Sequence, residues 1–293
     1  MNFAIAKNIN LIKNIAICAK IVYNTFMESR LIRERISDGI DLNWQAIENT
    51  RASVYSRHIH DVYEMIYFID ACSDYVIENR AYPINEGDVI LIAPGKYHFL
   101  APVDGKYYER LVIHFTPDAV IDKTLLSAAF NNVEFLPKSD YPEVSLVIEQ
   151  LLGYCKQTSD EILDVAVKCK LSELLLLASL VNPPKNCSGY AIDDKISADA
   201  VAYIADNLRS VNCVDDVASA LFLSRSTLQH AFKASMKIPI MQYVRNKKIV
   251  AARALIQSGM PLKDVSEAVG FKEYSTFFRL YKSYYGHTPK KEQ

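Results

Sequence analysis

The sequence is short of the features that would make a chain fibrous, disulfide-held or membrane-spanning. It has nine glycines, eleven prolines and one tryptophan in 293 residues, so collagen-like and low-complexity classes are out. Its six cysteines, at positions 18, 72, 155, 169, 187 and 213, include no CxxC pair, which argues against a zinc site or a disulfide framework. Cys155 and Cys169 fall in apolar helical patterns, where a thiol acts as a small core hydrophobe, and a reducing cytoplasm suits such a chain. There is no run of about 18 uncharged apolar residues. The apolar stretch from Met1 to Phe26 is interrupted by Lys7, Lys13 and Lys20, which excludes a membrane helix and breaks the apolar region of a secretory signal. An N-terminal extension is expected over residues 1–40.

Net charge is also nearly absent, at −1, but only by cancellation. Residues 196–293 hold 14 Lys+Arg against 8 Asp+Glu, a balance of +6, while residues 1–195 hold 19 against 26, a balance of −7. That split suits a phosphate-binding module joined to an acidic partner domain, and two domains are expected at this length.

What is present falls into three patterns. From Val54 to Phe115, short runs rich in Val, Ile, Tyr and Phe alternate with turn residues, among them Pro83, Gly87, Pro94, Gly95 and Gly105. A small antiparallel barrel is expected over residues 41–138. Val144, Ile148, Leu151, Leu152 and Cys155 then recur at helical spacing, as do Leu163, Val167, Leu171, Leu174, Leu175 and Ala178. Two helices over 139–181 follow, the second apolar enough to pack on its own barrel or on a second subunit. Residues 182–195, with two prolines and a glycine, are expected to be a linker.

Beyond the linker, VDDVASALFLSRSTLQHAFK (Val214 to Lys233) and LKDVSEAVGFKEYSTFFRLYK (Leu262 to Lys282) can be overlaid. Asp216 and Val217 match Asp264 and Val265 at an offset of 48, and Phe232 and Lys233 match Tyr281 and Lys282 at 49, leaving one extra residue in the second turn. Each half suggests two short helices crossing steeply, with Ala220 and Ala268 as the small side chains at the closest approach and Gly270 in the tight turn. The first unit has Phe222 at the place of Gly270, so its turn must differ or carry strain, and Lys237 stands where a glycine is usual. Between the units, Ile240 to Ser258 forms one amphipathic helix, with Tyr243, Val244, Ile249, Ala252, Leu255 and Ile256 as its apolar stripe and Arg245, Lys247, Lys248 and Arg253 as its charges. Its 19 residues would span roughly 28 Å at 1.5 Å each, against about 34 Å between successive major grooves on one face of DNA.

These motifs, closing on DVSEAVGF (Asp264 to Phe271), Phe277 to Lys282 and GHTP (Gly286 to Pro289), resemble the DNA-binding domain of the AraC family of transcription regulators, over essentially residues 196–293. The resemblance implies base contacts from Arg225, Ser226, Gln229 and His230 in the first recognition helix, and from Tyr274, Ser275, Thr276 and Arg279 in the second. Gln229 suits adenine and Arg279 guanine, whereas Ser226, Ser275 and Thr276 discriminate weakly. Lys233, Arg245, Lys247, Lys248 and Lys282 suit phosphates.

In the barrel, RHIHDVYE (Arg57 to Glu64) and PINEGDVILIAPGKYH (Pro83 to His98) resemble the two motifs of the cupin barrel, which the AraC family often uses as an effector domain. His58, His60, Glu64 and His98 would be metal ligands in a metal-binding cupin. The chain departs from that pattern around Ala71 and at Pro102, where glycine and asparagine are expected. A metal-free sensor is therefore expected, with Arg57, His58, His60, Glu64, Tyr67, Tyr97 and His98 lining a small-molecule pocket, no cofactor and no enzymatic role. The fold class expected is α+β: a cupin-like antiparallel β-barrel with two following helices, then an all-α domain of two helix-turn-helix units joined by a long helix. The function expected is a homodimeric, ligand-responsive transcription regulator whose partners are double-stranded DNA, a small-molecule effector and RNA polymerase, with no membrane. A metal-dependent cupin enzyme fused to a DNA-binding tail, and a constitutive regulator whose barrel only dimerises, are the alternatives.

Overall fold

A computed structural model describes residues 29–51, 57–71, 73–130, 133–181, 190–191 and 194–291. The sequence-based expectations for residues 1–28 and 182–189 lie outside that set. Among the described residues, the strands are β1 (Ser29–Ser37), β2 (Ile40–Ile47), β3 (Tyr63–Asp70), β4 (Ser73–Ile77), β5 (Arg80–Pro83), β6 (Val89–Ile92), β7 (His98–Pro102), β8 (Tyr108–Phe115), β9 (Phe135–Leu136) and β10 (Tyr190–Ala191). They form an antiparallel sheet in the order β1-β2-β8-β3-β6-β9 and a smaller one in the order β10-β5-β4-β7. The two sheets share one interior, a cupin-like arrangement. Ile66, Phe68, Ile90, Ile92 and Val112 from the larger sheet meet Tyr75, Ile77, Tyr82 and Leu100 from the smaller one.

Strand β3 explains why its sequence is apolar almost throughout. Ile66 and Phe68 point into that interior, while Met65 and Tyr67 point to the opposite face, which is covered by helices. A strand buried on both faces loses the alternation of a half-exposed one. The covering helices are α1 (Thr124–Phe130), α2 (Pro142–Gln157) and α3 (Asp160–Leu180). The periodic residues of α3, from Leu163 to Ala178, are at most 2% exposed. Each such leucine contributes roughly 1.5–3 kcal/mol by leaving water. Cys155 is buried as expected, but Cys169 is exposed on the other side of α3.

Three boundaries need correction. Residues 29–37 belong to the sheet, not to an extension: β1 pairs antiparallel with β2, and Arg35 grips Asp164 of α3 through Nε to Oδ1 at 2.6 Å and Nη2 to Oδ2 at 2.5 Å. The charged β1 sequence conceals a strand because its arginines are satisfied by a helix 129 residues away. Helix α1 adds a third helix to the two expected. The stretch assigned to the linker includes β10, which pairs with β5, and ends where Asp194 caps the next helix by accepting from Ile196 N–H at 3.1 Å.

The C-terminal part is all-helical: α4 (Lys195–Asn207), α5 (Val214–Ala220), α6 (Arg225–Met236), α7 (Ile240–Gln257), α8 (Leu262–Ala268) and α9 (Tyr274–Tyr285). Helices α5 and α8 each have 7 residues, and α6 and α9 each have 12. The overlay of the two units holds in three dimensions. Val217 and Val265 are fully buried, as are Leu228 and Phe277, and Phe232 and Tyr281. The small residues expected at the crossing are not the buried ones, however: Ala220 faces solvent and Ala268 is half-buried, whereas Ala218 and Ser266 are 3% exposed each.

Candidate functional site

The outer faces of the two units share a burial pattern but not a cap, since Glu273 at the start of α9 makes no side-chain cap bond. Ser224 caps α6 by accepting from Thr227 N–H at 3.1 Å, which leaves Arg225, Ser226, Gln229, His230 and Lys233 exposed on the face opposite Leu228 and Phe232. On α9, Tyr274, Ser275, Arg279 and Lys282 are exposed opposite Phe277 and Tyr281, and Thr276 is half-buried. Exposed polar side chains in the first turns of both second helices are what groove reading requires.

The turns reach that geometry differently. Phe222 and Gly270 both have positive φ, 56° and 80°. A side chain at Gly270 would run into the Arg209 carbonyl. Phe222 has no such neighbour and projects into solvent, 96% exposed. The strain expected at Phe222 is therefore present in its backbone.

Two of the expected phosphate contacts are corrected. Lys248 is 2% exposed, and its Nζ donates to Gly270 O at 2.9 Å, with Asn212 Oδ1 at 3.3 Å and Arg209 O at 3.4 Å. It ties the second turn to the loop after α4, and burial lowers its pKa. Lys247 is half-buried and paired with Glu78 of the barrel. Arg245 is the exposed cation of that helix turn.

The barrel candidates separate into two groups. His58, His60, Glu64 and His98 converge, and His114 from β8 joins them. Register explains the fifth member: on β8, His114 lies directly opposite Glu64 of β3 and Asp41 of β2. Glu64 Oε2 is 2.9 Å from His60 Nε2 and 3.0 Å from His98 Nε2, and Oε1 is 3.3 Å from His114 Nε2. Glu64 is 3% exposed and His98 fully buried. Burial alone would push the Glu64 carboxyl up, but the charges of His114 and His98 and the hydrogen bonds of His114 and His60 hold it well below its ordinary value. Burial lowers the pKa of His60. It also acts to lower that of His114, but Glu64 and Asp41 outweigh it and raise the value. His114 was missed in the sequence although Leu111 to Phe115 reads as a strand, because its partner strands are distant in the chain.

Arg57, Tyr67 and Tyr97 do not line this cluster. Tyr67 faces the helices and its hydroxyl donates to Glu149 of α2 at 3.2 Å. Arg57 donates to Glu78 O at 2.7 Å and to Ser235 O of α6 at 3.3 Å. Tyr97 stacks on Tyr243 of α7, and its hydroxyl accepts from Asn246 at 2.8 Å.

A family model described as an AraC-like ligand binding domain matches residues 46–175, and one described as a helix-turn-helix domain matches residues 217–293. The chain belongs to the AraC family of transcription regulators. Across 286 residues it is 23% identical to an uncharacterized HTH-type transcriptional regulator of Bacillus subtilis, YfiF, covering 94% of this chain and 89% of that protein. It is 26% identical over 227 residues to the arabinose operon regulatory protein of Escherichia coli, covering 72% and 73%. Among solved structures, ToxT from Vibrio cholerae is 16% identical with a TM-score of 0.35, covering 86% of this chain and 96% of that one.

In this AraC-family regulator the barrel and the DNA-binding domain touch along α7. Glu78, in a tight turn with φ 52°, accepts from Tyr243 OH at 2.7 Å, from Tyr97 N–H at 3.1 Å and from Lys247. Arg253 of α7, expected as a surface charge, is 1% exposed, with Nη1 3.1 Å from Asp61 and its guanidinium over the Tyr285 ring at 4.3 Å. Tyr284 OH donates to Ile59 O at 2.8 Å. The pairings that cross between the two domains were not legible in the sequence, because they join residues more than 140 apart.

Proposed function

We propose that this AraC-family regulator binds its DNA site as a homodimer, reading bases with Arg225, Ser226, Gln229 and His230 of α6 and with Tyr274, Ser275, Thr276 and Arg279 of α9. Lys233, Lys282 and Arg245 take phosphates. The observation that carries this assignment is the repeated construction of the two units, each with its polar residues exposed at the start of a 12-residue helix. The 18 residues of α7 extend roughly 27 Å, close enough to the 34 Å groove repeat for the two readers to enter successive major grooves on one face. The exposed apolar side chains Leu146 on α2 and Ile162, Val165, Leu176 and Leu180 on α3 supply a face for the second subunit.

The effector seat is the buried polar end of the barrel around Glu64. A buried carboxylate among imidazoles costs stability unless fully satisfied, so its retention favours a ligand-binding role over catalysis or packing. The chain acts as a sensor and not as an enzyme.

The test is selection of bound DNA fragments by the full chain, with and without a small-molecule extract, followed by footprints of wild type and Arg279→Ala. A recovered site that loses protection at one position in the variant supports the assignment. Identical footprints of the two proteins would exclude Arg279 as a reader.

A further inference from the structure

The second ring nitrogens of two histidines in the buried cluster define what its centre must receive. His60 Nδ1 lies 3.0 Å from Val62 O, and His98 Nδ1 lies 2.9 Å from Lys96 O. A carbonyl oxygen only accepts, so both Nδ1 atoms carry their hydrogen and both rings present the Nε2 lone pair inward when neutral. Those lone pairs face Glu64 Oε2, which is itself an acceptor. His98 Nε2, although 3.0 Å from that oxygen and fully buried, makes no hydrogen bond. With the rings neutral, these lone pairs and the Glu64 oxygens converge as the donor set of a cation seat, and in the absence of an ion a proton bridges His60 and Glu64 at 2.9 Å. Imidazoles held by a backbone carbonyl through the far nitrogen are the arrangement that fixes metal-ligating histidines. The donor atoms of His58, His60 and His98, and those of His60, Glu64 and His114, each lie within 4.8 Å of one another, with His60 common to both triads. Imidazole with one carboxylate and no thiolate suits a divalent first-row transition ion over calcium or magnesium.

The segment carrying two of these histidines has two faces. His58 and His60 point into the barrel, His58 held to β7 by paired backbone hydrogen bonds with His98 at 3.0 and 3.1 Å. The alternate residues point the other way. Arg57 reaches Ser235 O of α6, Ile59 packs in the apolar cluster that holds Phe232, Tyr243 and Val250, and Asp61 pairs with Arg253 of α7. Its extended backbone thus places the cluster on one side and the DNA-binding domain on the other, with no intervening layer.

We propose that His58, His60, Glu64, His98 and His114 bind one divalent first-row transition-metal ion, and that residues 57–61 transmit its occupancy to the DNA-binding domain. This rests on the barrel being the sensor of a DNA-binding regulator, and it names the effector class.

The full chain, dialysed against a chelator, is titrated with Co2+ and followed by visible ligand-field absorption, and with Zn2+ by melting temperature. One Co2+ per chain with ligand-field bands, and a higher melting temperature with Zn2+, are expected. His98→Gln and His60→Gln should abolish the bands. If either fails to fold, Glu64→Gln, which keeps the shape of the carboxylate, must shift or weaken them. On DNA fragments selected by the protein, Zn2+ should change the apparent Kd by about fivefold or more. The double variant Asp61→Asn, Tyr284→Phe should bind Co2+ like wild type and lose most of that response. No saturable cobalt spectrum in a chain that still binds selected DNA overturns the metal site and leaves the regulator intact. A chain that selects no DNA sinks the regulator assignment, while cobalt bands would still establish the metal. An ion that binds without changing DNA affinity, or a double variant that responds like wild type, overturns the transmission.

Discussion

The two helix-turn-helix units have the same helix lengths and bury equivalent residues, yet they close their turns with opposite kinds of side chain. In the second unit, Gly270 packs against the Arg209 carbonyl, and that carbonyl and Gly270's own both approach the buried Lys248 ammonium. In the first, Phe222 takes the same left-handed backbone in full exposure. A positive φ is thus required by the crossing of the helices, whereas glycine is required only where another part of the chain comes close. The second unit is built into the domain by its turn, and the first is joined to it through α7 and α4.

Gly270→Val should break this asymmetry most severely. It combines a backbone clash with a β-branched residue at positive φ, a loss of about 3 kcal/mol or more in urea unfolding of the full chain. A loss below 1 kcal/mol would show that the Arg209 contact is loose. Lys248→Met removes the donor shared by Gly270 O and Asn212 and should cost about 1–3 kcal/mol through stranded acceptors, with lower stability rather than a changed salt dependence of DNA binding. A salt slope shallower by about one would return Lys248 to the phosphate contacts. Arg279→Ala and Gln229→Ala should each cost about 1–3 kcal/mol of discrimination at separate positions of the selected site. Loss of specificity from the first substitution alone would make the second unit the sole reader. Phe222→Gly is the smallest effect. Relief of positive-φ strain is partly offset by the greater freedom of glycine in the unfolded chain, leaving a gain of about 0.5 kcal/mol, visible as a raised melting temperature.

Much of the DNA-reading face was legible because its rules are local. The tandem overlay located the two second helices, and the family resemblance implied which of their side chains face DNA; those side chains are exposed or half-buried opposite Leu228, Phe232, Phe277 and Tyr281. Helical periodicity failed on α7. A helix with one apolar stripe was expected, but Lys248 and Arg253 lie buried on its other faces, because the helix packs against both units and the barrel at once. Arg57 and Tyr97, expected in the pocket, instead meet Ser235, Tyr243 and Asn246. Composition cannot tell a polar group facing a ligand from one facing another domain.

The sequence by itself determined the two classes of domain, the tandem units with their unequal turns, and the side chains available to read DNA. Spacing along a helix or strand fixes which residues share a face. Tertiary structure alone decided that His114 completes the cluster around Glu64, that β1 belongs to the sheet, and that residues 57–61 lie between that cluster and the DNA-binding domain. Those facts depend on which strands are neighbours and which surfaces meet, and pairings between separate elements leave no periodic trace in the chain.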